Sequence, residues 1–187
     1  MPEAGKAFRK AVDIYPNYAA AWYEPGRIQE QDRDIEQARK SFTKAVAAGA
    51  KFISPYPELA KLAAKAENWA ELADTTGSLL KLDAVDYPRA YFYNATANLN
   101  LGQFDAVEKS ARAGEKLDSP HRYPQLAQVQ AIILARKKDY VGAAAQIRSY
   151  LRLAPDAEDA ARMKKDPAGL ERLSGANARA EAAAAQE

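Results

Sequence analysis

Ile35, Trp69, Phe104 and Tyr140 each follow a short polar break, at intervals of 34, 35 and 36 residues. Three residues further on stand Ala38, Leu72, Val107 and Ala143. Seven residues on stand Phe42, Thr76, Ala111 and Ile147, and ten on stand Ala45, Leu79, Gly114 and Tyr150. Offsets of 3, 7 and 10 trace one face of an α-helix, because a turn takes 3.6 residues. Ala4, Phe8 and Ala11 start the same face once more, with Phe8 34 residues before Phe42. The pattern predicts one helix after each break, repeated every 34–36 residues.

A second helical segment precedes each of these. The first runs through Ala20, Ala21, Trp22, Tyr23, Glu24, Pro25, Gly26, Arg27 and Ile28, and its counterparts fall at about 56–66, 89–101 and 125–137. Pro16, Pro55, Pro88, Pro120 and Pro155 punctuate the breaks. Asn17, Ser54, Ser119 and Asp156 are the expected N-caps, since a short polar side chain there can accept a bond from an open backbone N–H. No stretch alternates in the manner of a strand. Pro25 removes a backbone donor inside its helix and is expected to bend that helix or delay its start. Asn94 and Asn98, four apart, face the partner helix and must be hydrogen-bonded if buried; structural pairing is the favoured reading over ligand contact.

The order of small, aromatic and proline positions resembles the tetratricopeptide repeat (TPR). Trp22, Gly26, Ala38, Phe42 and Ala45 carry it best; Ala4, Phe8, Ala11 and Pro16 supply a preceding half unit. Tyr56, Leu59, Ala60, Trp69 and Leu79 continue it, then Tyr91, Ala95, Gly102 and Phe104, then Ala131, Leu134, Tyr140, Ala143 and Pro155. The wording around 90–95 and 150–155 is similar to bacterial members. The resemblance implies an all-α, right-handed α-solenoid of antiparallel helix pairs, with about four and a half repeats and a C-terminal capping helix. The half repeat covers 3–16 and the repeats about 19–52, 53–86, 88–122 and 124–155. The capping helix covers about 156–174, and Asp166-Pro167 is expected to kink or restart it. Residues 175–187 read as an Ala-rich, frayed tail. Residues 3–14 read as a second helix without its first, so Phe8 and its neighbours form an open apolar face. That points to truncation from a longer parent, or to another element or chain covering it.

Composition adds limits. Lys and Arg total 27 and Asp and Glu 25, a net charge of +2, which is no nucleic-acid footprint. Helical-repeat RNA binding is further disfavoured by the lack of a repeated base-reading pair. There is no cysteine. No apolar run reaches the roughly 20 residues that span a bilayer. The chain as written therefore reads as soluble, cytoplasmic by default, and exported or periplasmic only if a longer parent carries a signal peptide.

No catalytic, cofactor or metal site is expected. The single histidine, His121, has no second His or Cys to share a metal and reads as a solvated residue. Trp22, Trp69, Phe42, Phe104 and Tyr140 read as core rather than as a stacking site. The resemblance implies that first helices line a concave groove for a protein or peptide. By register this face receives Tyr23, Arg27 and Gln31, then Lys61 and Lys65, then Arg89, Phe92, Tyr93, Thr96 and Asn100, then Gln128, Ile132 and Arg136. Cations mixed with aromatics and amides suit an acidic partner segment. The two-carboxylate clamp known in this family is not expected, because Tyr23 stands where its leading Lys belongs and Arg27 where its first Asn belongs. The reading is thus a non-enzymatic protein-binding scaffold. The alternative is an assembly module of a larger or envelope-associated protein, self-associating through exposed end helices.

Overall fold

The computed structural model describes residue 10, residues 14–118 and 122–169, and residues 172 and 175. Phe8, Ser119, His121 and the tail from 176 onward lie outside them, with the readings attached to them. Among the described residues there are nine helices and no strand. These are α1 (Ala19–Gln31), α2 (Ile35–Ala48), α3 (Pro55–Lys65), α4 (Trp69–Leu82), α5 (Pro88–Asn100), α6 (Phe104–Leu117), α7 (Gln125–Arg136), α8 (Tyr140–Leu153) and the short α9 (Ala160–Met163). They pack in sequential antiparallel pairs. The chain forms two compact units, Met1–Ala97 and Asn98–Glu187.

The second helix of each pair begins at the residue that the periodicity marks, and each is 14 residues long. All twelve positions at offsets 3, 7 and 10 are buried, from Ala38 and Phe42 in α2 to Ile147 and Tyr150 in α8. In the first unit Ala38, Phe42, Leu59 and Leu62 form one core cluster. Tyr56, Leu79 and Ala90 form a second, and Ala60, Ala63, Leu72 and Ala97 a third. In the second unit Ala131, Ala143 and Ile147 cluster, with Met163 against them. Gly26 shows why a small residue is needed where helices close up. A Cβ there would lie 2.6 Å from the Phe42 ring, so α1 and α2 could not meet at this spacing.

Each pair is joined by the same three-residue turn. Arg33, Glu67, Gly102 and Lys138 take the left-handed conformation, with φ between 52° and 72°. The next residue's N–H reaches back to Gln29, Ala63, Asn98 and Leu134 carbonyls at 2.8–3.0 Å, which closes a Schellman motif four times. That same residue then caps the following helix. Asp34, Asn68 and Asp139 accept from the N–H of Gln37, Glu71 and Gly142. Gln103 does not cap with its side chain, but its turn alone has glycine at the left-handed position.

Several expectations need correction. The caps do their work at the within-pair turns, not at the expected sites. Tyr18 rather than Asn17 precedes α1, Ser54 makes no side-chain cap bond, and Asp159 rather than Asp156 precedes α9. Pro25 neither delays nor interrupts α1, which runs through it. Of the five aromatics read as core, only Phe42 is fully buried. Trp22, Trp69, Phe104 and Tyr140 are partly exposed; the last three are the first residues of their helices and lie at the end of the seam. Trp22 donates from Nε1 to the Pro16 carbonyl at 2.8 Å and carries the Lys44 ammonium 4.3 Å from its ring centre. Asn94 and Asn98 are buried. Asn94 donates to the Thr76 hydroxyl at 2.9 Å and the Ala73 carbonyl at 3.2 Å, so its role is structural. Beyond Met163 the chain turns at Lys164–Lys165 and is helical again from Asp166, with Pro167 buried.

Candidate partner-binding face

The candidate side chains lie on the first helices, which also bury residues in the core. In the first unit the open face is the exposed side of α1, α3 and α5. Tyr23 is half-buried there, its ring 5.7 Å from Phe42 and 5.6 Å from Phe52. Burial, and then the Glu58 carboxylate, push its hydroxyl above the ordinary tyrosine value. It is a wedge between core and surface. Arg27 is exposed and lies 3.5 Å from Glu24. Gln31 is exposed.

Lys61 is the most engaged of the candidates. Its Nζ lies 2.8 Å from Glu30 Oε1 on α1 and also pairs with Glu58 on α3. Burial would depress the ammonium, but hydrogen bonds to Glu30 and Glu58 outweigh it and hold the pKa above the ordinary value. Three carboxylates thus surround Arg27 and Lys61. The i, i+3 spacing of Glu58 and Lys61 was visible in sequence; the contact with Glu30 depends on how α1 and α3 pack. Lys65 is exposed at the end of α3.

Arg89 does not join the lysines. Tyr56 clusters with Ala90, and Ala63 with Ala97, so α3 and α5 lie side by side in a 34-residue register. Arg89, in the first turn of α5, is therefore level with the start of α3. Lys65 lies about ten residues further along, a separation of about 15 Å at 1.5 Å per residue. Arg89 instead stacks on Tyr93, 4.9 Å from its ring centre, and Tyr93 lies 5.7 Å from Phe92. Thr96 is half-buried.

In the second unit Asn100 is exposed at the end of α5. Arg136 lies over Phe104, 3.6 Å from the ring centre. Gln128 donates from Nε2 to Asp159 Oδ2 at 2.7 Å, and the Tyr150 hydroxyl donates to the other oxygen of the same carboxylate. Burial and then this bond raise the Tyr150 hydroxyl to about 12, while Asp159 is held below the usual carboxylate range, first by Tyr150. Asp159 carried no signal in sequence, since its partners lie 31 and 9 residues away. Beside this triad an open groove of ≈ 580 Å³ runs between α7 and the C-terminal segment.

Among the described residues, no group of three His, Cys, Asp or Glu side chains is placed to hold a metal ion, and no helix is long and apolar enough to cross a membrane.

No family model and no curated protein sequence matches the chain. Solved structures do match it. MamA superposes with a TM-score of 0.72 at 12% identity, covering 88% of each chain. YrrB, described as a TPR protein with an unusual peptide-binding site, gives 0.66 at 14% identity, covering 94% of this chain and 99% of its own. A TPR protein from Parabacteroides merdae ATCC 43184 gives 0.65 at 18% identity, covering 96% of this chain and 69% of its own. Helices in sequential antiparallel pairs, a seam repeating every 34–36 residues and these neighbours together identify the fold of this chain as the tetratricopeptide-repeat fold.

Proposed function

We propose that the protein is a non-enzymatic scaffold that binds a segment of another protein on the open face of its first helices. The observation that carries this is the set of side chains that the first helices leave accessible: half-buried Tyr23, Phe92 and Tyr93 stand beside the long polar side chains of Arg27 and Arg89, a composition enriched where proteins recognise each other. The neighbour YrrB, with its peptide-binding site, supports the same reading for this fold. In the first unit Arg27 and Lys61 are matched by Glu24, Glu30 and Glu58, so attraction for an acidic segment rests on Lys65 and Arg89, as two separate points.

The test compares partner capture by the wild type, by the Lys65→Ala/Arg89→Ala/Arg136→Ala variant and by Lys109→Ala on α6. Loss of a captured protein with the triple variant is expected at low salt, with the gap to the wild type narrowing as salt rises, because exposed charges are screened over about 10 Å at 0.1 M. Loss with Lys109→Ala alone would move the site off this face. The assembly-module reading would then gain, supported by exposed Ile14, Tyr15 and Tyr18.

A further inference from the structure

The first unit carries a row of rings across its first helices. Gly26, Ala60 and Ala95 are buried at matching places in α1, α3 and α5. Three residues before each stand Tyr23, Pro57 and Phe92, all half-buried. Tyr93, also half-buried, packs on the cluster of Ala60, Ala63 and Ala97 and lies 5.7 Å from Phe92. The three helices are neighbours in turn. Lys61 of α3 reaches Glu30 of α1, the Glu58 carboxylate acts on the Tyr23 hydroxyl, and α3 and α5 share two core clusters. Helices packed in this way run about 8–10 Å apart, so the rings follow one another at roughly that spacing.

Two further observations bear on what fits this row. Among the described residues, neither the Tyr23 nor the Tyr93 hydroxyl is hydrogen-bonded to the protein, and neither is sealed from solvent. Both are therefore available to donate to a ligand. A helical peptide bonds its own carbonyls, whereas a chain without internal hydrogen bonds leaves them open to such donors. The charges, by contrast, are answered within the face. Arg27 lies 3.5 Å from Glu24, Lys61 holds Glu30 and Glu58, and Arg89 stacks on Tyr93. Cations and carboxylates balance there, so shape and backbone chemistry are left to select the ligand.

We infer that this face of the first unit takes a proline-rich segment in the polyproline II conformation, which crosses α1, α3 and α5, sets side chains three residues apart on Tyr23, Pro57 and Phe92, and accepts hydrogen bonds from the Tyr23 and Tyr93 hydroxyls at its carbonyls. The spacing selects this conformation. Polyproline II returns to the same side every three residues, about 9.3 Å, in step with packed helices. A β-strand returns every two residues, about 6.6 Å, and falls out of step. Proline rings bury well on aromatic side chains, and a preformed conformation loses little entropy on binding. The inference rests on the open-face reading and names the conformation and composition of the bound segment.

The experiment titrates the full chain, with ring-labelled Tyr and Phe, against three capped peptides of equal length: a run of nine prolines, a Gly-Ser repeat and an Asp-Ser repeat. The proline peptide is expected to shift the Tyr23, Phe92 and Tyr93 signals and to bind about tenfold more tightly than the Gly-Ser peptide, at low and high salt alike. Tyr23→Phe/Tyr93→Phe keeps both rings in the packing and removes only the hydroxyls. It should weaken binding about tenfold, as for two hydrogen bonds. Phe92→Ala should weaken it by a similar factor. A proline peptide that binds no better than the Gly-Ser peptide, or shifts that miss these three rings, would overturn the inference. Unchanged affinity in the double Phe variant would do the same. Binding by the Asp-Ser peptide alone, with shifts on this face, would overturn it while leaving the broader open-face reading standing.

Discussion

The buried seam and the open face use their side chains in opposite ways. On the seam, Phe42 or Leu79 has one available role, which is to exclude water, and any pairing of two repeats gives it that role. On the open face Lys61 has several. It could be solvated, meet a ligand or meet a neighbour, and the packing of α1 on α3 makes it a partner of Glu30 and Glu58. An apolar residue's fate follows from its position on the helix; a charged residue's fate follows from which other charges arrive beside it.

The largest expected effect lies on the seam. Phe42→Ala should cost about 3–5 kcal/mol of unfolding free energy in urea denaturation, since its ring is wholly buried. Trp69→Ala should cost less, about 2 kcal/mol, because its ring is only partly covered. Equal losses would erase the distinction between seam and edge.

Next comes the point where seam and open face meet. Tyr150→Phe removes a bond to a charged acceptor and should cost about 1.5 kcal/mol, the low end for such bonds because Asp159 is partly exposed. The pH profile sharpens this. The folded Tyr150 hydroxyl is raised from 10.0 to about 12, so its stabilisation is full below pH 10 and lost as pH rises towards 12. Asp159 is depressed below 3.8, so its stabilisation is full above that value and lost as pH falls through the folded value. Tyr150→Phe should therefore show a shallower alkaline slope in thermal unfolding, and a shallower acid one. An unchanged alkaline slope would mean that the bond does not form in solution.

These cases show what the sequence could convey. The 3, 7, 10 spacing specified all twelve buried positions, because helical period and burial are the same geometric fact. Glu30 and Asp159 were illegible as parts of a site, because their roles arise from contacts between helices or across long stretches of chain, whereas the Glu58–Lys61 pair could be read from its spacing. The within-pair caps lay between. Asp34 with Gln37 and Asn68 with Glu71 stand at capping-box spacing in the sequence, but away from the proline breaks.

The turns that join the two faces should respond more weakly. Gly102→Ala places a side chain at φ 72° and should cost about 1 kcal/mol, whereas Glu67→Gly should be neutral or stabilising. Gln103→Asp should recover up to about 1 kcal/mol by supplying the cap that this turn lacks. The smallest effect belongs to the open face: a double-mutant cycle between Lys61 and Glu30 should give about 0.2–1 kcal/mol, falling with salt.

The constancy of those turns determines where the chain tolerates change. Every second helix has 14 residues and every within-pair turn three, so the drift of the period from 34 to 36 comes only from first helices and from the loops between pairs. Those loops are the adjustable joints of an otherwise fixed ruler. An epitope tag or a fluorescent domain inserted near Val85, exposed between α4 and α5, should leave the repeats intact. A single residue added between Arg33 and Asp34 would break the Schellman closure and the cap together, and so unseat α2 from α1.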